Sequence, residues 1–350
     1  MNDKSKLRVS IWLYTGCFLI FLMVVIGGIT RLTGSGLSIT EWKPIMGSVP
    51  PLNDHDWQIA FEKYQQIPQF QKINAHFELE DFKSIYWWEF IHRQLGRLIG
   101  LVFLIPFLYF LLTKQLDRVT IRKALFLFLL GALQGFLGWF MVSSGLADRT
   151  SVSHIRLAIH LVTAFVTFGF TFWYALELSR PVSKEANNAA TGMINLIFSI
   201  LIIQIVYGAF VAGMHAGKMY NTFPLMDGQI LPTGMSTLEP QVMNLLNNPV
   251  AVQFIHRLFA YVLLFLIAKV WWNSRKLRMN LSQRNAMNIV LLAVCVQFLL
   301  GVLTLLTKVE ITLALLHQVG AFFLFSSMIY LLFQFRSDPK HSSELHAGRN

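Results

Sequence analysis

Eight long apolar stretches run through the sequence, and each can cross a bilayer as a helix. A spanning helix needs about twenty consecutive apolar residues. The stretches cover residues 10–30, 91–113, 121–143, 155–178, 193–214, 250–272, 287–307 and 311–335. In hydrocarbon the backbone must satisfy its own hydrogen bonds, and these stretches lack the alternating pattern of barrel strands. We therefore predict an all-α integral membrane protein with eight transmembrane helices.

The composition excludes two other classes of protein. Of the 350 residues, 55% are hydrophobic and only 13% are charged, although 29 Lys and Arg against 18 Asp and Glu give a net charge of +11. A soluble nucleic-acid binder needs many surface charges to hold phosphates, and the long uncharged stretches leave no room for such a surface. Thirty Phe and nine Trp are equally foreign to a disordered chain.

The basic residues in the connections predict how the chain is oriented. Cytoplasmic loops of membrane proteins carry an excess of Lys and Arg. If the N-terminus is cytoplasmic, the inner segments carry the whole formal charge of +11 and the outer segments carry none. We therefore expect both termini in the cytoplasm.

The segment 31–88 is the one connection long enough to fold, and in this orientation it lies on the extracytoplasmic side. Within it, Trp57, Phe61 and Tyr64 recur at helical spacing. This spacing predicts an amphipathic helix that lies on the membrane surface.

Four short motifs occur twice, in the same order. The pairs are 90–93 with 254–257, His160 with His317, Gln134 and Gly138 with Gln297 and Gly301, and 42–46 with 222–226. Chance can explain one such repeated motif in an apolar sequence, but four repeated motifs in the same order indicate an internal duplication. Each half contributes four helices in the same orientation, which implies a parallel repeat. We predict two pseudo-symmetric four-helix bundles, formed by residues 1–185 and 186–350.

Four of the ten histidines lie inside the predicted helices, near their outer ends. They are His92 and His160 in the first half and His256 and His317 in the second. A single histidine inside a membrane is expensive, yet it is often only a packed residue bonded to a carbonyl. Zinc prefers closely spaced ligands or carboxylate partners, which are missing here. Two imidazoles that face each other across a four-helix bundle are what a six-coordinate haem iron requires.

Arginines adjoin each predicted haem site on its outer side. Arg93 and Arg97 follow His92, and Arg257 follows His256. A guanidinium binds a carboxylate through two hydrogen bonds, so these residues are candidates to bind the haem propionates. Arg97 alone is equally compatible with an arginine that reaches a lipid phosphate.

The two halves differ at one position beside the histidines. Glu89 precedes His92 by three residues on the same helical face, and Gln253 takes the equivalent position before His256. A carboxyl group beside a haem can accept a proton, orient water or stabilise a developing cation. We therefore expect the reaction in the N-terminal half and a permanent electron-transfer haem in the C-terminal half. The alternative is that Glu89 is a solvated acid at the start of a helix.

These motifs resemble the haem A synthase family. The similarity runs from the first helix to the eighth and includes 89–93 (EFIHR), 253–257 (QFIHR), His160, His317, and 27–36 (GGITRLTGSG) leading to 41–44 (EWKP). This family oxidises a ring methyl of haem O to the formyl group of haem A, by successive hydroxylation and loss of water. Some bacterial members carry a cysteine pair in the first outer loop. Residues 31–88 contain no Cys, so the chain resembles the cysteine-free type of proteobacteria and mitochondria. Because no Arg-rich amphipathic transit segment precedes the first stretch, the resemblance implies a bacterial inner membrane.

The resemblance implies a role for each candidate residue. Residues 1–185, with the long outer loop 31–88, would form the substrate-haem half, and residues 186–350 would form the cofactor half. Glu89 would be the catalytic carboxylate. The substrate haem O would be held by His92, His160, Arg93 and Arg97, and a haem b cofactor would be held by His256, His317 and Arg257, with the four histidines as ligands to the haem irons.

The resemblance also implies partners. These are the substrate haem O, the haem O synthase (a farnesyltransferase), an electron-transfer partner and membrane lipid. Nucleic acid is not expected as a partner. A homo-oligomer is compatible with the sequence. Two other functions fit the residues. One is a di-haem b-type electron carrier or quinol oxidoreductase that leaves haem unmodified, and the other is a transporter whose histidines relay protons. A pure electron conduit has little need of a carboxylate in one half only.

Overall fold

The computed structural model describes residues 1–42, 46–147, 149–180 and 188–336. Part of the repeated loop motif, Lys43 to Ile45, lies outside these ranges. So do three of the basic residues assigned to the inner side, Lys184, Lys340 and Arg349.

The described residues form ten α-helices and no named strand. The helices are α1 (Asp3–Leu32), α2 (Asp54–Gln65), α3 (Leu79–Leu112), α4 (Arg118–Leu146), α5 (His154–Ser179), α6 (Asn188–Gly213), α7 (Asn244–Asn247), α8 (Pro249–Ser274), α9 (Leu281–Leu306) and α10 (Ile311–Phe335). Within the described ranges, eight of them, all but α2 and α7, are long and apolar enough to cross a membrane. This confirms the predicted all-α fold of a multi-pass membrane protein.

Several of the spanning helices begin at a side chain that caps their first turn. The side chains of Asp117, Asn248 and Asn280 accept hydrogen bonds from backbone amides at the starts of α4, α8 and α9. Glu310 does the same for the amides of Thr312 and Leu313 in α10. These bonds satisfy donors that a helix leaves unpaired at its first turn.

The spanning helices present much of their apolar surface to the outside. In the most apolar 18 residues of α3, α4 and α9, only 11%, 6% and 11% of the residues are buried. A surface of this kind suits hydrocarbon, where the helical backbone needs no outside partner.

The chain divides into two compact units. The first consists of Met1 and Thr15–Phe168, and the second of Asn2–Tyr14 and Gly169–Asn350. In the second unit, α6 contacts α8, α8 contacts α9, α9 contacts α10, and α10 returns to α6, so the four helices form a closed ring. In the first unit, α3 contacts both α2 and α4.

Helix α3 begins twelve residues earlier than its apolar stretch indicates. Its start at Leu79 is fixed by a capping box, in which the Glu78 and Asp81 side chains exchange hydrogen bonds with each other's backbone amides. The helix is 34 residues long, or about 51 Å at 1.5 Å per residue. The alternative interpretation of Glu89 as a solvated acid at a helix start is therefore wrong, because Glu89 lies in the third turn and is 2% exposed.

The predicted helix in the long loop is present as α2, but its apolar face does not lie on the membrane surface. Trp57, Phe61 and Tyr64 are buried. Their rings pack against Phe82, with centroids 6.4, 5.3 and 5.2 Å away, and Trp57 also packs against Tyr86 at 4.9 Å. The early start of α3 supplies this partner surface, so α2 buries its apolar face inside the protein.

The packing of Trp57, Phe61 and Tyr64 around Phe82 leads us to expect a specific loss of stability when Phe82 is removed. Because the ring of Phe82 is fully buried among its neighbours, Phe82→Ala is expected to destabilise the outer segment by about 3–5 kcal/mol. Hydrogen–deuterium exchange of the α2 amides in the detergent-solubilised protein measures this loss. Leu52→Ala, at a side chain that is 76% exposed, is the control and should leave exchange unchanged. Unchanged α2 exchange in Phe82→Ala would contradict the packing role.

Candidate functional site

Four helices carry the four predicted ligand histidines. His160, His256 and His317 lie in the first two turns of α5, α8 and α10. His92 lies in the fourth turn of α3, because α3 already starts at Leu79, within the long connection 31–88. All four residues are only partly buried.

A glycine on a neighbouring helix faces each of these imidazoles. A methyl group added at any of these glycines would lie between 2.9 and 3.3 Å from a ring atom. The pairs are Gly27 of α1 with His92, Gly138 of α4 with His160, Gly208 of α6 with His256, and Gly301 of α9 with His317. Each helix pair therefore comes close only because the facing residue lacks a side chain.

Three of these glycines are preceded, four residues earlier, by a glutamine. The Nε2 atom of Gln134 donates to the carbonyl of His160 at 2.8 Å, and that of Gln204 donates to the carbonyl of His256 at 3.0 Å. Gln297 of α9 instead places Nε2 3.5 Å from Nε2 of His317. The α1 equivalent is Met23, so the first histidine lacks this anchor.

The geometry of the second pair suits a metal between two imidazoles. The rings of His256 and His317 lie 6.5 Å apart, centroid to centroid, and are nearly perpendicular at 87°. Metal–imidazole bonds of about 2 Å on each side place ring centroids a little over 6 Å apart, by an estimate from typical bond lengths. The separation therefore accommodates one iron atom.

The nitrogens of the rings support the same interpretation. In His160, His256 and His317, Nδ1 is buried and has no hydrogen-bond partner within the described part of the chain. Nε2 of His160 and of His256 makes no hydrogen bond within the described residues and can bind a ligand, whereas Nε2 of His317 lies 3.5 Å from Nε2 of Gln297. His92 lies within electrostatic range of His160, so the first pair is also brought together.

The number of protein donors fits haem better than a simple ion. Among the described residues, no three His, Cys, Asp or Glu side chains come close enough to hold a metal ion together. A zinc site requires three or four protein ligands. The iron of haem is already coordinated by the nitrogens of its porphyrin ring, so two histidines complete its ligand set. Both histidine pairs therefore fit haem.

The structure gives Glu89 four hydrogen-bond donors. Its Oε2 accepts from the Ser38 hydroxyl at 2.9 Å and from the Ile39 amide at 2.8 Å. Its Oε1 accepts from Nε and a terminal nitrogen of Arg93, at 3.1 and 2.6 Å. A carboxylate has about four lone-pair positions. The Glu89 side chain is therefore both buried and fully hydrogen-bonded.

Arg93 connects this carboxylate to the loop after α1. Its terminal nitrogens donate to the carbonyls of Ile39 and Glu41, at 2.8 and 2.9 Å, and its guanidinium lies 5.0 Å from the centre of the Trp42 ring. Most of its donors are thus engaged within the protein. Its predicted role as a propionate ligand stays a prediction.

Gln253 and Arg257 repeat this arrangement without the ion pair. The Nε2 atom of Gln253 donates to the carbonyl of Tyr220 at 3.0 Å. Arg257 donates to the carbonyls of Thr222 and Pro224, at 2.7 and 3.2 Å. Its other terminal nitrogen is buried and has no partner among the described residues. Arg257 therefore keeps a donor for an incoming carboxylate, as a propionate site requires.

Arg97, the remaining predicted site residue, lies one turn after Arg93. Its terminal nitrogen donates to Oε1 of Gln94 at 2.6 Å, and Gln94 in turn donates to the carbonyl of Ser48 at 2.7 Å. This places Arg97 beside the loop that follows α1.

Sequence reasoning missed Ser38, the Ile39 amide, Gln204, Gly208 and the contact of Gly27 with His92. The α6 pair could have been found, because Gln204 and Gly208 have the same spacing as Gln134 and Gly138. Ser38 and the Ile39 amide carry no comparable signal, since they lie about fifty residues from Glu89 in the sequence.

Comparison with known proteins identifies the family. A family model described as cytochrome oxidase assembly protein, COX15-CtaA, matches residues 10–329. A protein named heme A synthase from Nitrosomonas eutropha is 45% identical over 339 residues, which cover 95% of each chain. One of the same name from Flavobacterium johnsoniae is 48% identical over 335 residues, covering 94% of this chain and 98% of the relative. The chain therefore belongs to the COX15-CtaA family of cytochrome oxidase assembly proteins.

Proposed function

We propose that this protein is a haem A synthase, an oxidoreductase that converts a ring methyl of haem O to the formyl group of haem A. The family match and the name shared by its relatives support this function. The observation that carries it is an asymmetry: two matched histidine pairs have a buried carboxylate, Glu89, beside one of them and an amide, Gln253, beside the other.

One half of the chain would then bind the substrate haem and the other half would bind the cofactor haem. In residues 1–185, His92 and His160 would hold the substrate haem O. In residues 186–350, His256 and His317 would hold a haem b cofactor, a role favoured by their facing geometry and by the spare donor of Arg257. When bound, haem b supplies one-electron transfer.

Glu89 would act as a fixed negative charge in the substrate half. Its four donors hold the carboxylate in one place, and such a preorganised charge stabilises a cation that develops nearby. To accept a proton directly, the carboxylate would first have to release one donor. The Ser38 hydroxyl can turn away most easily, because a hydroxyl rotates whereas the Ile39 amide is fixed in the backbone.

The surroundings of the enzyme follow from the same proposal. A bacterial inner membrane with both termini cytoplasmic is supported by the distribution of Lys and Arg. Haem O would be delivered by the haem O synthase, and electrons would pass to a separate partner. Arg97 and Arg93 would border the substrate on its outer side, with Arg93 acting mainly through Glu89 and the loop.

The activity is tested by pigment extraction from cells that express the chain and are supplied with haem O, followed by chromatography. We expect the formyl product to appear. Purified protein that carries two haems but never yields this product would favour the electron carrier.

Glu89→Gln places beside His92 the same amide that Gln253 places beside His256. We expect the variant to keep its haem spectrum and to lose haem A formation about a hundredfold or more, because the charge is removed while all four histidines remain. Glu89→Ala should behave alike. Glu80→Ala, an exposed acid on the same helix that pairs with Lys83 at 2.7 Å, is the matched control. Normal haem A from cells that depend on Glu89→Gln would remove the carboxylate from the mechanism.

His256→Ala is expected to abolish the low-spin haem signal retained by the purified protein, because one axial ligand is lost. Electron paramagnetic resonance and absorption spectra measure the signal. His76→Ala, at an exposed outer-loop position, should leave it intact. A full signal in a correctly folded His256→Ala protein would exclude His256 as a ligand.

Gly301→Ala tests the close approach of α9 to His317. The added methyl would lie 2.9 Å from Cε1 of the imidazole, so the ring must shift, and we expect an altered low-spin spectrum or loss of the retained haem. Gly192→Ala on α6 adds the same methyl where no heavy atom lies within 4 Å, and should change nothing. Identical spectra for the two variants would show that the glycine does not position the ligand.

A further inference from the structure

A cavity of about 220 Å³ opens at the turn between α8 and α9. Its polar side is formed by Arg275, Arg284 and Asn288, and its apolar side by Trp271, Met279 and Met287. All of these residues belong to the second unit.

The cavity lies far from the histidine pairs. Trp271 follows His256 by fifteen residues on the same uninterrupted helix, which places it about 22 Å further along the axis. The cavity is therefore at the opposite end of α8 and is separate from the proposed haem site.

The positive charge of this cavity has no anionic partner among the residues that the structure describes. The guanidinium of Arg284 has no hydrogen bond or ion pair within the part of the chain that the structure describes. That of Arg275 lies over the rings of Trp271 and Trp272, 5.5 and 5.3 Å from their centres. The sequence contains no Asp or Glu between Glu239 and Glu310.

Other features add to the attraction for an anion. The N-terminus of α9, capped by Asn280, directs the positive end of its helix dipole toward this turn. The Asn288 side chain accepts a hydrogen bond from Nε1 of Trp271 at 2.8 Å, which leaves its amide NH₂ group to donate. The acid at the end of α5, Glu177, is paired with Arg336 at 3.2 Å. No Asp or Glu is among the residues that line the cavity.

The neighbouring tryptophans indicate the level of the membrane surface. Trp271 and Trp272 end an apolar helix, and Trp272 is 60% exposed, which is typical of the aromatic belt at lipid headgroups. Guanidinium groups bind phosphate through two hydrogen bonds. Basic pockets between transmembrane helices at this level suit anionic phospholipids.

We propose that the cavity between α8 and α9 is a binding site for the phosphate headgroup of an anionic phospholipid, held by Arg275, Arg284 and Asn288. The apolar side chains of Met279 and Met287 border the same cavity and face the less polar part of the lipid. The site is independent of the proposed catalytic function, because it contains none of the histidines or their partners.

The test is native mass spectrometry of the purified full-length protein with phosphatidylglycerol or phosphatidylcholine in detergent micelles. The test variant is Arg275→Gln with Arg284→Gln. The control, Lys276→Gln with Arg278→Gln, removes the same charge from the same turn at residues that do not line the cavity. We expect the test variant to lose phosphatidylglycerol adducts about tenfold or more, since each basic residue near a charged membrane surface is worth about fivefold. The control should lose far less.

Three results would overturn the proposal. Equal losses in both double variants would mean that only the overall charge attracts lipid. Equal retention of phosphatidylglycerol and phosphatidylcholine by the unaltered protein would remove the anionic selectivity. Displacement of the lipid by millimolar inorganic phosphate would assign the cavity to free phosphate. The haem spectrum reports correct folding of each variant, and Arg284→Lys, which keeps the charge but loses the planar fork, should bind at an intermediate level.

Discussion

The contact between a glycine and an imidazole determines how the histidines of this protein are arranged. An imidazole inside an apolar helix needs a neighbour that covers one edge without filling the space that a ligand requires. Gly138, Gly208 and Gly301 meet this need, because a methyl group added at any of them would lie only 2.9 to 3.3 Å from the ring. The same approach fixes the register of each helix pair, and so brings Gln134 and Gln204 to the carbonyls of the ligand-bearing turns.

The exchange of one carboxylate for an amide distinguishes the two histidine motifs, 89–93 and 253–257. In the second half, Arg257 holds a loop by its carbonyls and keeps one donor without a described partner. In the first half, Arg93 donates to the corresponding loop and also forms an ion pair with Glu89. A buried ion pair costs desolvation and rarely adds much stability. Its presence in one half therefore fits a functional requirement of that half.

Much of the fold could be predicted from the sequence because hydrocarbon imposes a simple demand. Runs of about twenty apolar residues must be helical to satisfy their backbone, and the duplicated motifs located all four histidines in matching helices. The start of α3 could not be found in this way. Glu80, Asp81 and Lys83 make its first turns too polar to count as part of an apolar stretch. The capping box of Glu78 and Asp81 and the packing of Phe82 and Tyr86 against α2 stabilise these turns as helix.

The hydrogen-bond partners of Glu89 could not be predicted from the sequence either. A backbone amide such as that of Ile39 is present at almost every residue, so it leaves no compositional trace. Only the folded loop brings it to the carboxylate. By contrast, the glutamine and glycine spacing of α4, α6 and α9 is visible in the sequence once the contact with histidine is known.

The length of α3 has a mechanical consequence. Phe82, Glu89 and His92 lie on one continuous helix, and the outer aromatic cluster is only about 15 Å along its axis from the imidazole. A helix of this kind moves as a rigid rod over so short a distance. Packing of α2 against the start of α3 therefore influences the rotation of the His92 side chain and its position along the helix axis.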